Sequence, residues 1–66
     1  MRVRPRNDFK MLGTEIQVSK DKIYNAIPAT NQPNWESRGL VFIMNAEGDT
    51  TELGFLLDST DYEVIE

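Results

Sequence analysis

The sequence predicts an all-β fold, a small five-stranded barrel, and three observations carry the prediction. Apolar residues recur with strand alternation, and no stretch shows a helical period. Glycine and proline punctuate the chain at short intervals. The third observation is the stretch from Gly39 to Leu57, where two apolar runs of strand length flank a polar turn, Asn45-Ala46-Glu47-Gly48-Asp49. Strands are expected near residues 2–6, 22–28, 39–45, 50–57 and 61–65.

The turn sets a register. Asn45 suits the first position of a type I turn and Gly48 the fourth, where a positive φ closes a bulge. Asn45 then faces Asp49, Ile43 faces Thr51, Val41 faces Leu53 and Gly39 faces Phe55. Because side chains alternate, one face of this hairpin carries Val41, Ile43, Leu53, Phe55 and Leu57, the expected core. The other carries Leu40, Phe42, Met44 and Leu56 opposite Thr50, Glu52 and Gly54. That second face is more apolar than contact with water requires. Either the sheet curls at Gly54 and covers part of it, or the face meets a partner.

The remaining elements follow in order. Met1 to Arg6 sets Met1, Val3 and Pro5 on one side and Arg2, Arg4 and Arg6 on the other. Pro5 cannot donate to a ladder, so this strand is expected at an edge, its arginines solvated near the acidic C-terminal strand. Asn7 to Gly13 is irregular, and Phe9, Met11 and Leu12 are expected to plug one end of the core. Thr14 to Val18 alternates, with Ile16 and Val18 inward, and Ser19-Lys20-Asp21 is a polar turn. Lys22 to Ala29 reads as a strand from Ile23, Tyr24 and Ile27. Thr30 to Arg38 is a polar loop holding the only tryptophan. Trp35 beside Pro33 and Asn34 reads either as a recognition residue or as a cap on a thin core. Asp58-Ser59-Thr60-Asp61 is turn-rich, and Tyr62 to Ile65 makes a short last strand.

At 66 residues the chain is one domain, residues 1–66. A chain of this size buries only about 60% of its unfolded surface on folding. Cysteine and histidine are both absent. Their absence removes disulfides, zinc and haem ligation, and cysteine or histidine catalysis, and no cofactor is expected. No apolar run approaches the roughly 20 residues of a membrane span, and the N-terminus lacks the apolar core of a secretory signal. A cytoplasmic protein without a membrane partner is the expectation. The net charge of −4 is uneven: Met1 to Lys22 carries +3, and the remainder carries −7, with only Arg38 opposing eight carboxylates. Net acidity makes direct nucleic-acid binding unfavourable.

The layout resembles an SH3-like small barrel. A long loop follows an early strand, a hairpin sits mid-chain, and a short Asp58-Ser59-Thr60 turn leads into a last strand expected to pair with the first. The motifs with which SH3 domains bind proline-rich peptides are missing around Tyr24, before Leu40 and before Tyr62. The resemblance therefore implies a fold, with Tyr24, Trp35 and Tyr62 as the available aromatic surface. A short, acidic, cysteine-free barrel is also similar in style to the small accessory proteins of phages and prophages.

Two functions follow as expectations. In the first, the chain is a non-enzymatic module that binds a protein partner or itself. Its contacts come from Tyr24, Pro33, Asn34, Trp35 and Tyr62, or from Leu40, Phe42 and Met44 on the hairpin face. In the second, the carboxylates after Ile23 imitate a phosphate backbone and block an enzyme that handles DNA or RNA. Catalysis would have to use Asp58 with Asp61 or Glu47 with Asp49, and carboxylates at turns are ordinarily solvated.

Overall fold

The computed structural model describes residues 1–48 and 54–65. Its elements are β1 (Arg2–Pro5), β2 (Phe9–Lys10), β3 (Gln17–Val18), β4 (Tyr24–Pro28), α1 (Trp35–Arg38), β5 (Val41–Ile43), β6 (Phe55–Leu57) and β7 (Tyr62–Val64). Five of the strands form one antiparallel sheet in the order β6-β5-β4-β1-β7, and β2 and β3 form a separate hairpin. The five expected strands are the five of this sheet.

The curl of the sheet comes from β4. Its first residues, Tyr24 and Asn25, pair with Val3 and Arg2 of β1. Its later residues, Ala26, Ile27 and Pro28, pair with Ile43, Phe42 and Val41 of β5. One strand thus passes from one ladder to the next and rolls the sheet into a half-barrel compatible with an SH3-like barrel. The first and last strands pair as expected, with Val3, Arg4 and Pro5 against Val64, Glu63 and Tyr62.

Alternation places the core. Val3, Pro5, Val18, Val41 and Ile43 are buried, and Phe55 and Leu57 bury from β6. Phe9, Met11 and Ile16 pack against this cluster from the β2–β3 hairpin. Leu12 does not join them. It stands at the hairpin tip, 96% exposed, because Met11 and Ile16 bond across the tip and leave Leu12 beyond the last rung. Leu53, also expected in the core, lies outside the described residues.

Two expectations are corrected by the pairing itself. β1 lies inside the sheet, between β4 and β7, rather than at its edge, and its ladder to β4 ends at Val3. The N–H of Arg6 donates to Asp61 and the carbonyl of Arg2 accepts from Ile65, so even positions of β1 face β7 and odd positions face β4. The missing donor of Pro5 therefore falls where no β4 rung remains to be made. The β5–β6 register is the second correction: Ile43 faces Phe55 and Val41 faces Leu57, a shift of four residues from the tight turn. An even shift keeps each side chain of the paired residues on its own face, so the division into core and outer residues survives for Val41, Phe42, Ile43, Phe55, Leu56 and Leu57.

The segment after Ile43 is wider than a tight turn because part of it binds elsewhere. Gln17 and Glu47 exchange both backbone hydrogen bonds, at 2.9 and 2.8 Å, and Ala46 is buried. Gly48 has the expected positive φ of 78°, and a Cβ there would also run into the Glu15 carbonyl of the hairpin.

Candidate functional site

The outer face of β4, β5 and β6 carries an unbroken apolar row. Ile27 pairs with Phe42 and Phe42 with Leu56, so the three side chains lie side by side on the face away from the core. Ile27 is 48% exposed, Leu56 40% and Met44, two residues along β5 from Phe42, 38%. Phe42 is half-buried. Its ring lies against the start of β6, where a Cβ on Gly54 would stand 2.9 Å from Phe42 Cβ; Gly54, at φ 78°, leaves that space open.

A groove of about 640 Å³ runs beside the row, lined by Ile27, Pro28, Phe42, Met44 and Gly54 with the Thr30-Asn31-Gln32 segment. None of these lining residues is charged, in a chain that is 27% charged. Its chemistry is therefore that of an apolar floor with neutral amide and hydroxyl groups along one stretch. Such a surface suits a neutral partner, because a charged group docked there would lose hydration without gaining an opposite charge.

Of the residues expected at a binding surface, the structure brings Phe42 and Met44 together and turns three others inward. Tyr24 is buried. Its hydroxyl donates to Glu47, 2.7 Å from both carboxylate oxygens, and accepts from the Ser19 N–H at 2.7 Å. Tyr62 is buried too, and its hydroxyl donates to the Gly39 carbonyl at 2.6 Å. Leu40 is buried where α1 ends, its N–H donating to the Trp35 carbonyl. The side chains of these three are largely buried in the fold. Pro33 and Asn34 are exposed and Trp35 is half-buried. Trp35 lines a hollow of about 160 Å³ with Met1, Leu40 and Tyr62, and that hollow meets the outer groove at Pro28.

Trp35 opens a single helical turn, α1, within the stretch expected to be a polar loop. The signal was present in Glu36 in the first turn, Arg38 in the last and Gly39 at the C-cap with φ 64°. Ile27 is the member of this outer row that sequence reasoning passed over. Once Tyr24 and Ala26 face inward, alternation alone turns Ile27 outward.

The turn carboxylates have structural partners. Glu47 takes the Tyr24 hydroxyl and the Lys22 ammonium at 2.9 Å. Burial pushes its carboxyl up, but the hydrogen bonds from Tyr24 and Lys22 outweigh this and hold it below the ordinary range. Burial, and then the bond to Glu47, raises the Tyr24 phenol. Asp58 accepts from the Thr60 hydroxyl at 2.6 Å and the Thr60 N–H at 2.9 Å, and these bonds lower its pKa. Asp61 accepts the Asp58 N–H at 3.2 Å. Asp49 lies outside the described residues.

Among the described residues no helix is long and apolar enough to cross a membrane. Comparison with protein-family models, with curated proteins and with solved structures finds no match to this chain.

Proposed function

We propose that this chain is an SH3-like barrel acting in the cytoplasm as a non-enzymatic protein-binding module, and that its contact surface is the outer face formed by Ile27, Phe42, Met44 and Leu56. The observation that carries the reading is the cross-strand row Ile27-Phe42-Leu56, apolar on three adjacent strands and incompletely covered on each. Scattered exposed apolar residues are ordinary on a small protein, whereas an aligned row beside an uncharged groove is a contiguous patch of the kind that marks interaction sites. Methionine and phenylalanine at such a face adapt to a partner's contour.

The test compares retention of a cytosolic partner by immobilised wild type and by Ile27→Glu, with folding checked by amide dispersion in NMR spectra. A partner held by wild type and lost by Ile27→Glu is the expected outcome; equal retention by both removes the outer face from the reading. Salt separates this mode from imitation of nucleic acid. Apolar docking holds between about 50 mM and about 0.5 M salt, whereas contacts made by the C-terminal carboxylates weaken steeply over that range.

A further inference from the structure

The two edges of the sheet are unlike. Among the described residues, β6 and β7 each have a strand neighbour on one side only. β7 is guarded by charge. Asp61 and Ile65 bond to β1, so Tyr62 turns its carbonyl outward, and Arg6 Nε caps that carbonyl at 3.2 Å. Glu63, beside it, pairs with Arg4 at 2.9 Å. Charged side chains on an edge are a device by which natural sheets resist pairing with another sheet.

Among the described residues β6 has no such device. Phe55-Leu56-Leu57 contains no charge and no proline. The carboxylate that follows, Asp58, is folded into its own turn by Thr60 and Asp61. The direction of its backbone follows from β5. Ala29 N–H donates to the Leu40 carbonyl and Met44 N–H to the Asn25 carbonyl, both at 2.9 Å, so even positions of β5 face β4 and odd positions face β6. Phe55 and Leu57 therefore make the β6 ladder to Ile43 and Val41, and Leu56 turns its N–H and C=O away from the sheet.

We infer that a second copy of this chain joins the sheet along β6, antiparallel about a two-fold axis at Leu56. This rests on the outer face being a binding surface, which the second copy extends across both sheets and leaves open. The two-fold sets Leu56 opposite Leu56 of the other copy, each donating its N–H to the other's carbonyl, and sets Phe55 opposite Leu57. Every side-chain pair it creates within the strand is apolar with apolar, and Asp58 falls opposite Gly54, so no carboxylate of the strand or its ends meets a like charge despite the net charge of −4. The outer row then runs unbroken through both copies, from Ile27 to Leu56 and on to the other Ile27. Because Asp58 already spends its N–H on Asp61 and its carbonyl on the Asp61 N–H, the new ladder holds only the Leu56 pair. An interface this small associates weakly, with a dissociation constant on the order of 10 μM to 1 mM.

Sedimentation of the whole chain from about 5 μM to about 1 mM tests this. The mass should rise from 7.6 kDa towards twice that value. Leu56→Pro removes the outward donor and the leucine side chain at the axis while leaving the β5 ladder, which uses Phe55 and Leu57, and should weaken association at least about tenfold. Should Leu56→Pro lose its amide dispersion, Leu56→Lys, which sets two ammonium groups together at the axis, takes its place. A third readout is covalent. The chain has no cysteine, and the two-fold brings the Leu56 Cα atoms to about 5.5 Å, within disulfide reach. Oxidised Leu56→Cys should run as a dimer, while Ile27→Cys, about 24 Å from its mate, stays monomeric. A wild type that remains monomeric at about 1 mM overturns the second copy and leaves the outer face to be judged by partner retention in Ile27→Glu. A dimer that survives in both Leu56 variants overturns the edge.

Discussion

Glu47 shows how much one side chain can join. It sits on the segment between β5 and β6, yet its backbone bonds to Gln17, its carboxylate receives Tyr24 and Lys22, and the Tyr24 hydroxyl in turn receives the Ser19 N–H. Two stretches distant in sequence, residues 17–24 and Glu47, are thereby joined through one residue. Its lowered pKa gives a signed prediction. A carboxyl lowered on folding contributes stability that is complete above the ordinary glutamate value of about 4.3 and is lost as pH falls through its folded value. Urea midpoints of wild type should therefore fall on acidification below about pH 4.3, and Glu47→Gln should show a shallower fall over the same interval. Equal slopes would mean that the carboxylate is solvated rather than clasped. Tyr24→Phe, which strips the hydroxyl from both Glu47 and Ser19, should cost about 2 kcal/mol at neutral pH.

At the scale of elements, strand positions and faces were legible because they depend on a period of two, which the residues carry themselves. Register was less so. Asn45 and Gly48 have the chemistry of a tight turn, and nothing local reveals that Glu47 will pair with Gln17 or that Ala46 will be buried. The competing contact is tertiary, and a four-residue shift leaves the pattern of apolar alternation unchanged. The same reason explains β1, where Pro5 argued for an edge and the decisive fact was how far the β4 ladder extends. The candidate face was half legible: Phe42 and Met44 follow from alternation, whereas Leu40, Tyr24 and Tyr62 are buried by partners the local pattern does not name. Gly48 tests the packing of these elements. Gly48→Ala adds a Cβ at positive φ directly against the Glu15 carbonyl, and should destabilise the fold by about 2 kcal/mol or more. In a tight turn away from the hairpin only the φ penalty of about 1 kcal/mol would remain, and thermal or urea unfolding distinguishes the two.

Over the whole molecule, the thinness of the core divides labour sharply between the two faces of one strand. A 66-residue domain has a net stability of roughly 3–10 kcal/mol, and the sheet has one side on which to find it. Phe55 and Leu56 are neighbours in β6, but Phe55 is 8% exposed against Ile43 while Leu56 opens outward beside Phe42. Phe55→Ala removes a buried ring and leaves a cavity, a loss of about 3–5 kcal/mol that would unfold a large share of the molecules. Leu56→Ala removes side chain that is already partly in water and should cost about 1 kcal/mol or less, while weakening whatever contact the outer face makes. Paired urea titrations of the two variants measure this asymmetry directly. Comparable losses would mean that the outer face is structural core, covered by the chain itself, and would remove the ground for assigning it to binding.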